Sequence, residues 1–211
     1  MSYNKNYGGQ FMGLRPKEGK DNPNRISDDK LKEMFQKKET KEAHKVVFIL
    51  SELRGINIPE VEDGQIFFFC TVIFDNDDVK MSMSKSNYNS SFVRGKYILE
   101  AYSLEFKEEL TLYIPEGANF ARVYVSYLTV LDEDGKRNIK LEGIGYTDPF
   151  KLKECHVYPY ARFKLNTAVG ADETKATLKM CVKCVEKCHP SVVKETEEFN
   201  VIDKFRDMCE N

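Results

Sequence analysis

The sequence contains no tryptophan and only three histidines, and its charges nearly cancel, with 34 Asp and Glu against 32 Lys and Arg. A balanced chain has no global field to gather nucleic acid or an anionic membrane, so any attraction to phosphates must be local. No stretch approaches the roughly 20 apolar residues that span a bilayer. The opening MSYNKNYGGQ has no apolar run that could act as a secretory signal, and Ser2 stands where N-myristoylation needs glycine. The expectation is a cytoplasmic protein, at most peripheral to a membrane or the cytoskeleton. Without a secretory signal, the six cysteines read as reduced thiols, metal ligands or acylation sites rather than a disulfide framework.

Catalytic signatures are also missing. There is no Gly-x-Ser-x-Gly elbow, Gly-rich phosphate loop or metalloprotease helix. His44, His156 and His189 sit beside expected strand ends. Cys155 and His156 are sequence neighbours, and neighbours on a strand face opposite ways, which argues against a Cys–His pair. A non-enzyme with no small-molecule substrate and no nucleic-acid partner is expected.

What the chain does contain is alternation. Leu110, Leu112 and Ile114 interleave with Glu109, Thr111 and Tyr113, the period of two that gives a strand one buried and one wet face. Pro115-Glu116-Gly117 turns the chain, and Val123, Val125 and Tyr127 alternate again. Asp132 to Asn138 reads as an acidic loop, after which Ile139, Leu141, Gly143 and Gly145 resume an extended segment. Earlier, HKVVFILSEL from His44 to Leu53 is rich in β-branched residues, and Ile66 to Phe74 is apolar nearly throughout, as in a strand covered on both faces. Val79, Met81 and Met83 alternate with Lys80, Ser82 and Ser84, predicting a half-exposed strand. Asn87 to Gly95 reads as a polar loop, and Tyr97 to Tyr102 and Thr174 to Val185 as further strands. About eight strands without a βαβ rhythm predict a mainly β fold, an antiparallel β-sandwich over 44–188.

The flanks differ. Residues 1–25 hold four glycines, two prolines and few apolar residues, the composition of a flexible tail. Over 26–43, Ser27-Asp28-Asp29 supplies caps for a helix carrying Leu31, Met34 and Phe35. After Pro190, Phe199, Ile202, Phe205 and Met208 recur every three to four residues, predicting an amphipathic C-terminal helix within 189–211 that packs on the sandwich.

The order of these segments resembles the C2 domain family. VVFILSELRGINIP, IFFFCTVIF, VKMSMSK, FKEELTL, Val123 to Asp134 and Gly143-Ile144-Gly145 match that family's succession of strands. The resemblance implies an eight-stranded sandwich whose loops at one end meet membranes or proteins. Calcium-binding members converge about five carboxylates from two loops, because a hard divalent cation takes six to eight oxygens. This chain offers Asp132 and Asp134 at the matching second loop, while its first loop, Gly55 to Asp63, lacks spaced aspartates. Those two aspartates are the calcium candidates, and a calcium-independent module is expected. The family's concave basic surface corresponds to Lys80, Lys85, Arg94 and Lys96, the candidates for an anionic lipid headgroup. Lys151, Lys153, Arg162 and Lys164, interleaved with Tyr158, Tyr160 and Phe163, form a second basic stretch.

Cys181, Cys184, Cys188 and Cys209 are the zinc candidates, since Cys-x-x-Cys is the usual half-site. If Met180 to Val185 is a strand, however, Cys181 and Cys184 point to opposite faces. Together these readings predict a non-catalytic C2-like adaptor with protein partners in a larger complex, held at a membrane or membrane–cytoskeleton surface. A calcium- or phosphoinositide-dependent membrane module and a zinc-stapled structural protein are the alternatives.

Overall fold

The computed structural model describes residues 43–61, 64–133, 136–152, 156–168, 173–188 and 197–210. In chain order these form β1 (Ala43–Ile56), β2 (Gly64–Phe74), helix α1 (Val79–Met83), a 3-10 turn at Ser86–Tyr88, β3 (Val93–Arg94), β4 (Lys96–Ile98) and β5 (Ala101–Tyr113). There follow β6 (Phe120–Glu133), β7 (Lys136–Tyr146), β8 (Phe150–Lys151), β9 (Val157–Lys164), β10 (Asn166–Thr167), β11 (Thr177–Cys188) and helix α2 (Val201–Glu210). One sheet runs β4-β5-β1-β11-β9 and the other β10-β7-β6-β2-β3, with β8 paired to β6. This is the antiparallel sandwich that the alternation predicts. Its strand count differs from the expected eight because β3, β4, β8 and β10 are short two- or three-residue segments added to seven long strands.

Alternation sets the core. In β5, Tyr102, Leu104, Phe106, Leu110 and Leu112 are buried while Glu105, Lys107, Glu109 and Thr111 lie on the open face. They meet Val46, Phe48 and Leu50 of β1, Phe68, Cys70 and Val72 of β2, and Leu178, Met180 and Val182 of β11. The doubly apolar run of β2 is covered on both faces, as expected. Phe68 and Cys70 face the main core, whereas Phe69 joins Leu128 of β6 and Val201 and Phe205 of α2 in a second cluster. Phe205 is fully buried, with its ring edge-on to Phe67 at 4.8 Å and to Phe92 at 5.2 Å.

The C-terminal helix therefore packs on the sandwich, but it starts later than the apolar spacing suggests. Asn200 caps it by accepting a hydrogen bond from the Ile202 amide at 2.9 Å, and this fixes the start at Val201. Glu197 and Phe199 come before it as extended chain, bonded to the backbone of Ser86 and Ser84 at 2.9 and 2.7 Å. Residues 189–196 lie outside the described residues, as do the expected tail over 1–25 and the expected helix over 26–43 up to its last residue, Ala43, which instead opens β1.

Four local expectations are corrected. Val79–Met83 is a helix, not a strand. Asp78 accepts from the Met81 amide at 2.6 Å and caps it, Ser82 is buried, and Met81 is half exposed, the reverse of the strand pattern. Over five residues a period of two and a helical i, i+4 pair look alike, and the capping aspartate decides. Tyr97–Tyr102 is not one strand, because the chain reverses at Leu99-Glu100 between β4 and β5. The acidic loop over 132–138 is instead a tight hairpin, with β6 running to Glu133 and β7 restarting at Lys136. Its backbone register sets Asp132 opposite Arg137 and Glu133 opposite Lys136.

Finally, the segment over 87–95 is pinned rather than loose. Asn89 accepts from the Thr71 hydroxyl at 2.6 Å and donates to the Met83 and Lys85 carbonyls at 3.0 and 2.9 Å, while Ser90 accepts from the Cys70 amide at 2.8 Å. These buried bonds tie the connection from α1 to β3 along the outside of β2.

Candidate functional site

The site grows from one residue without a side chain. At Gly95 the chain leaves β3, paired to β2, and enters β4, paired to β5 in the other sheet. A Cβ there would lie 2.3 Å from the Phe68 ring and 2.9 Å from Tyr102, so only glycine allows the crossing. Arg94 and Lys96 flank this crossing, and both are exposed. Neither makes an ion pair among the described residues, although Lys96 adds to the pull of Lys107 in lowering the Glu105 pKa.

Beyond Lys96 the chain turns in two residues. Leu99 and Glu100 have φ values of 54° and 62°, the pattern of a type I′ hairpin turn, which favours Asn and Gly. At the apex Leu99 is 93% exposed and the preceding Ile98 is 56% exposed. Beneath this tip lies a groove of about 670 Å³ lined by Glu52, Arg54, Arg94, Lys96, Ser103 and Glu105. Glu52 lines it and accepts from both Arg54 and Arg162. Burial raises the Glu52 pKa, but the two guanidinium hydrogen bonds outweigh it and hold the carboxyl below its usual range. The groove's acids are thus already neutralised, and the cations left without ion pairs are Arg94 and Lys96. The arrangement is a basic rim around a projecting apolar tip. The β1–β2 loop is tied to the same end, because the Tyr102 hydroxyl hydrogen-bonds to the Val61 backbone.

The structure divides the four basic candidates. Arg94 lies opposite Phe67 near the start of β2, whereas Lys80 belongs to α1, which follows the end of β2 at Phe74. From Phe67 to Phe74 the strand extends about 24 Å at 3.4 Å per residue. Lys85 is bound to Asp77 at 2.9 Å and lies 4.6 Å over the Tyr88 ring, so it is engaged internally. Arg94 and Lys96 therefore share one site, and Lys80 and Lys85 do not belong to it. In the second basic stretch, Arg162 is held by Glu52, Lys164 is exposed on β9, and Lys153 lies outside the described residues.

Of the calcium candidates, Asp132 lies in β6 opposite Arg137, its side chain outside what is described, and Asp134 is outside the described residues. Among the zinc candidates, Cys181 is buried on β11 and Cys209 is exposed on α2, while the side chains of Cys184 and Cys188 are outside what is described. β11 continues unbroken through all three of its cysteines, with Cys181 opposite Ile49 and Cys184 opposite Val46. Among the described residues, no three His, Cys, Asp or Glu side chains come together in a way that could hold a metal ion. No helix among them is long and apolar enough to cross a membrane.

Sequence reasoning missed the tip itself. KYILEAY carries no Gly, Pro, Asn or Asp, so nothing in its turn chemistry marks a reversal at Leu99.

No protein-family model and no curated protein matches the sequence. Solved structures do resemble its fold. One is a C2 domain-containing protein from a putative elicitor-responsive gene, at 12% identity and a TM-score of 0.41, spanning 72% of this chain and 95% of that one. Another is a C2 domain of plant Extended Synaptotagmin 1, at 10% identity and a TM-score of 0.40, spanning 70% of this chain and 98% of that one. A third is a C2 domain at 12% identity and a TM-score of 0.38, spanning 68% of this chain and 99% of that one. All three scores lie below 0.5, and the strand pairing by itself shows an antiparallel sandwich of two sheets.

Proposed function

We propose that the protein is a non-catalytic docking module that attaches reversibly to an anionic membrane surface through the β4–β5 tip and serves there as an adaptor for a protein complex. One observation carries this reading: Leu99, almost wholly exposed, sits at the apex of a turn in a left-handed conformation. That conformation costs an L-residue with a Cβ about 1–2 kcal/mol. A large apolar side chain held outward at such a cost adds nothing to its own core, and it fits a residue that is buried in something else.

The magnitudes fit reversible attachment. Burying Leu99 and the exposed half of Ile98 contributes about 3 kcal/mol, and each cation near an anionic surface adds about 1 kcal/mol. Arg94 and Lys96 bring the total to about 5 kcal/mol and the exposed Glu100 carboxylate beside Leu99 takes back about 1 kcal/mol, leaving a dissociation constant of about 1 mM. Contact of this strength needs a second attachment to persist, and in this reading a protein partner supplies it.

Sedimentation with phosphatidylcholine vesicles, with and without phosphatidylserine, tests the proposal in the presence of a calcium chelator. Binding is expected only to the acidic vesicles, and Leu99→Glu or Arg94→Glu/Lys96→Glu should abolish it. Equal binding to neutral and acidic vesicles, or no binding to either, would sink the lipid reading. Binding that appears only when calcium is added, and that Asp132→Asn/Asp134→Asn removes, would favour a calcium-dependent module instead.

A further inference from the structure

Sheet edges are usually guarded, because their unpaired N–H and C=O groups invite another strand. Most edges of this sandwich follow that rule. β9 carries Pro159, and its pairing with β11 is interrupted by an irregularity between Met180 and Val182. β3, β4 and β10 are two or three residues long. β5, beyond its short pairing with β4, is kinked at Lys107, where φ is 50°, and Glu108 accepts from the Ser91 amide at 2.8 Å.

β7 is the exception. Its far side is paired by β10 only at Gly145 and Tyr146, and the Ile144 carbonyl accepts from Ala168. From Asn138 to Gly143 no described strand lies beyond it, although β6 pairs with it continuously on the near side. This segment contains no proline, and its register with β6 is regular up to Gly143. Ile139 and Leu141 are partly buried on the face that carries Val130 and Ile202 beside α2, while Lys140 and Glu142 form an ion pair of 2.9 Å on the other face.

We infer that this edge of β7, from Asn138 to Gly143, pairs antiparallel with the same edge of a second copy of the chain, the two-fold axis passing through Leu141, to form one sheet continuous across a symmetric dimer. Like faces must match in such a pair, so the axis passes through a residue and not between two. An axis at Lys140 sets Lys140 against Lys140, and one at Glu142 sets Glu142 against Glu142 and runs sooner into β10. At Leu141, each Lys140 stands opposite the partner's Glu142. The two intrachain ion pairs then close into a ring of four alternating charges. On the other face Leu141 meets Leu141 and Ile139 meets Gly143, so apolar surface beside α2 is buried from both copies.

Sedimentation velocity of the full chain across about 1–100 µM tests this, within the concentration range of ordinary dimers. A monomer–dimer equilibrium is expected. Lys140→Glu and Glu142→Lys should each weaken it about tenfold or more at low salt, because each turns both cross-strand pairs into like charges. The double exchange Lys140→Glu/Glu142→Lys should restore it, a rescue that no general loss of stability would produce. Leu141→Cys in a Cys209→Ser background should form an interchain disulfide on mild oxidation, since directly opposite Cα atoms are about 4.5–5.5 Å apart. A chain monomeric throughout that range overturns the inference. So does a dimer indifferent to the charge changes, or one that Leu141→Cys fails to cross-link. Slow amide exchange along 138–143 in a monomer would show that the edge is covered by another segment of the same chain, and would equally overturn it.

Discussion

Replacing Leu99 and Glu100 by Asn and Gly separates the stability of the β4–β5 hairpin from its use. Both positions have φ near 60°, where Asn and Gly rest easily and Leu and Glu do not. Relief of about 1–2 kcal/mol per residue is offset in part by the roughly 0.5–1 kcal/mol of extra unfolded-state entropy that glycine brings. The net expectation is a gain of about 1–3 kcal/mol, or about 3–9 °C in Tm for a domain of this size. The side chain that is lost is exposed, so no core packing is surrendered. On acidic vesicles the same variant should bind about fivefold more weakly, because one leucine's worth of burial, about 2 kcal/mol, has gone while removal of the Glu100 charge returns about 1 kcal/mol. Differential scanning calorimetry and vesicle sedimentation read the two effects separately. An unchanged or lower Tm would show that the turn is not strained, and undiminished vesicle binding would show that Leu99 is not what enters the membrane.

Other expectations follow from single contacts. Phe205→Ala removes a fully buried ring from between α2 and β2 and should cost about 3–5 kcal/mol in urea unfolding; a cost below about 1 kcal/mol would mean that α2 is not part of the folded core. Glu52, its pKa lowered in the folded state, contributes stability that is fully present above the ordinary carboxyl range and is lost as pH falls through its folded value. The Tm difference between the native chain and Glu52→Gln should therefore shrink as pH drops below about 4.3, and a difference that stays constant into acid would refute the Glu52–Arg162 contact. Cys70 is buried with its thiol pKa pushed well up, and Cys181 is buried too, whereas Cys209 is exposed. Maleimide labelling followed by peptide mass spectrometry should modify Cys209 within minutes, and Cys70 and Cys181 only after denaturation.

The residues by themselves determined which faces are apolar. Alternation in β5 and β6, the nearly continuous apolar run of β2 and the three-to-four spacing of Phe199, Ile202 and Phe205 are local facts. Burial has to honour them, so the sandwich and its C-terminal helix could be read directly from the sequence. Tertiary structure decided how those faces were partnered. Five residues from Val79 to Met83 satisfy both periods, and the Asp78 cap with the burial of Ser82 chose the helix. Leu99-Glu100 has no turn chemistry of its own, and it turns because Lys96 to Ile98 finds hydrogen-bond partners on Ser103 to Ala101. Four basic residues close in sequence were parted because the chain doubles back along β2, so that only Arg94 and Lys96 meet. β9 and β10 join different sheets, and that division leaves β7 from Asn138 to Gly143 with no neighbour beyond it among the described strands. Side-chain period is a property of each segment, but strand pairing is a competition among distant segments for the same hydrogen-bonding groups, and only the folded chain resolves it.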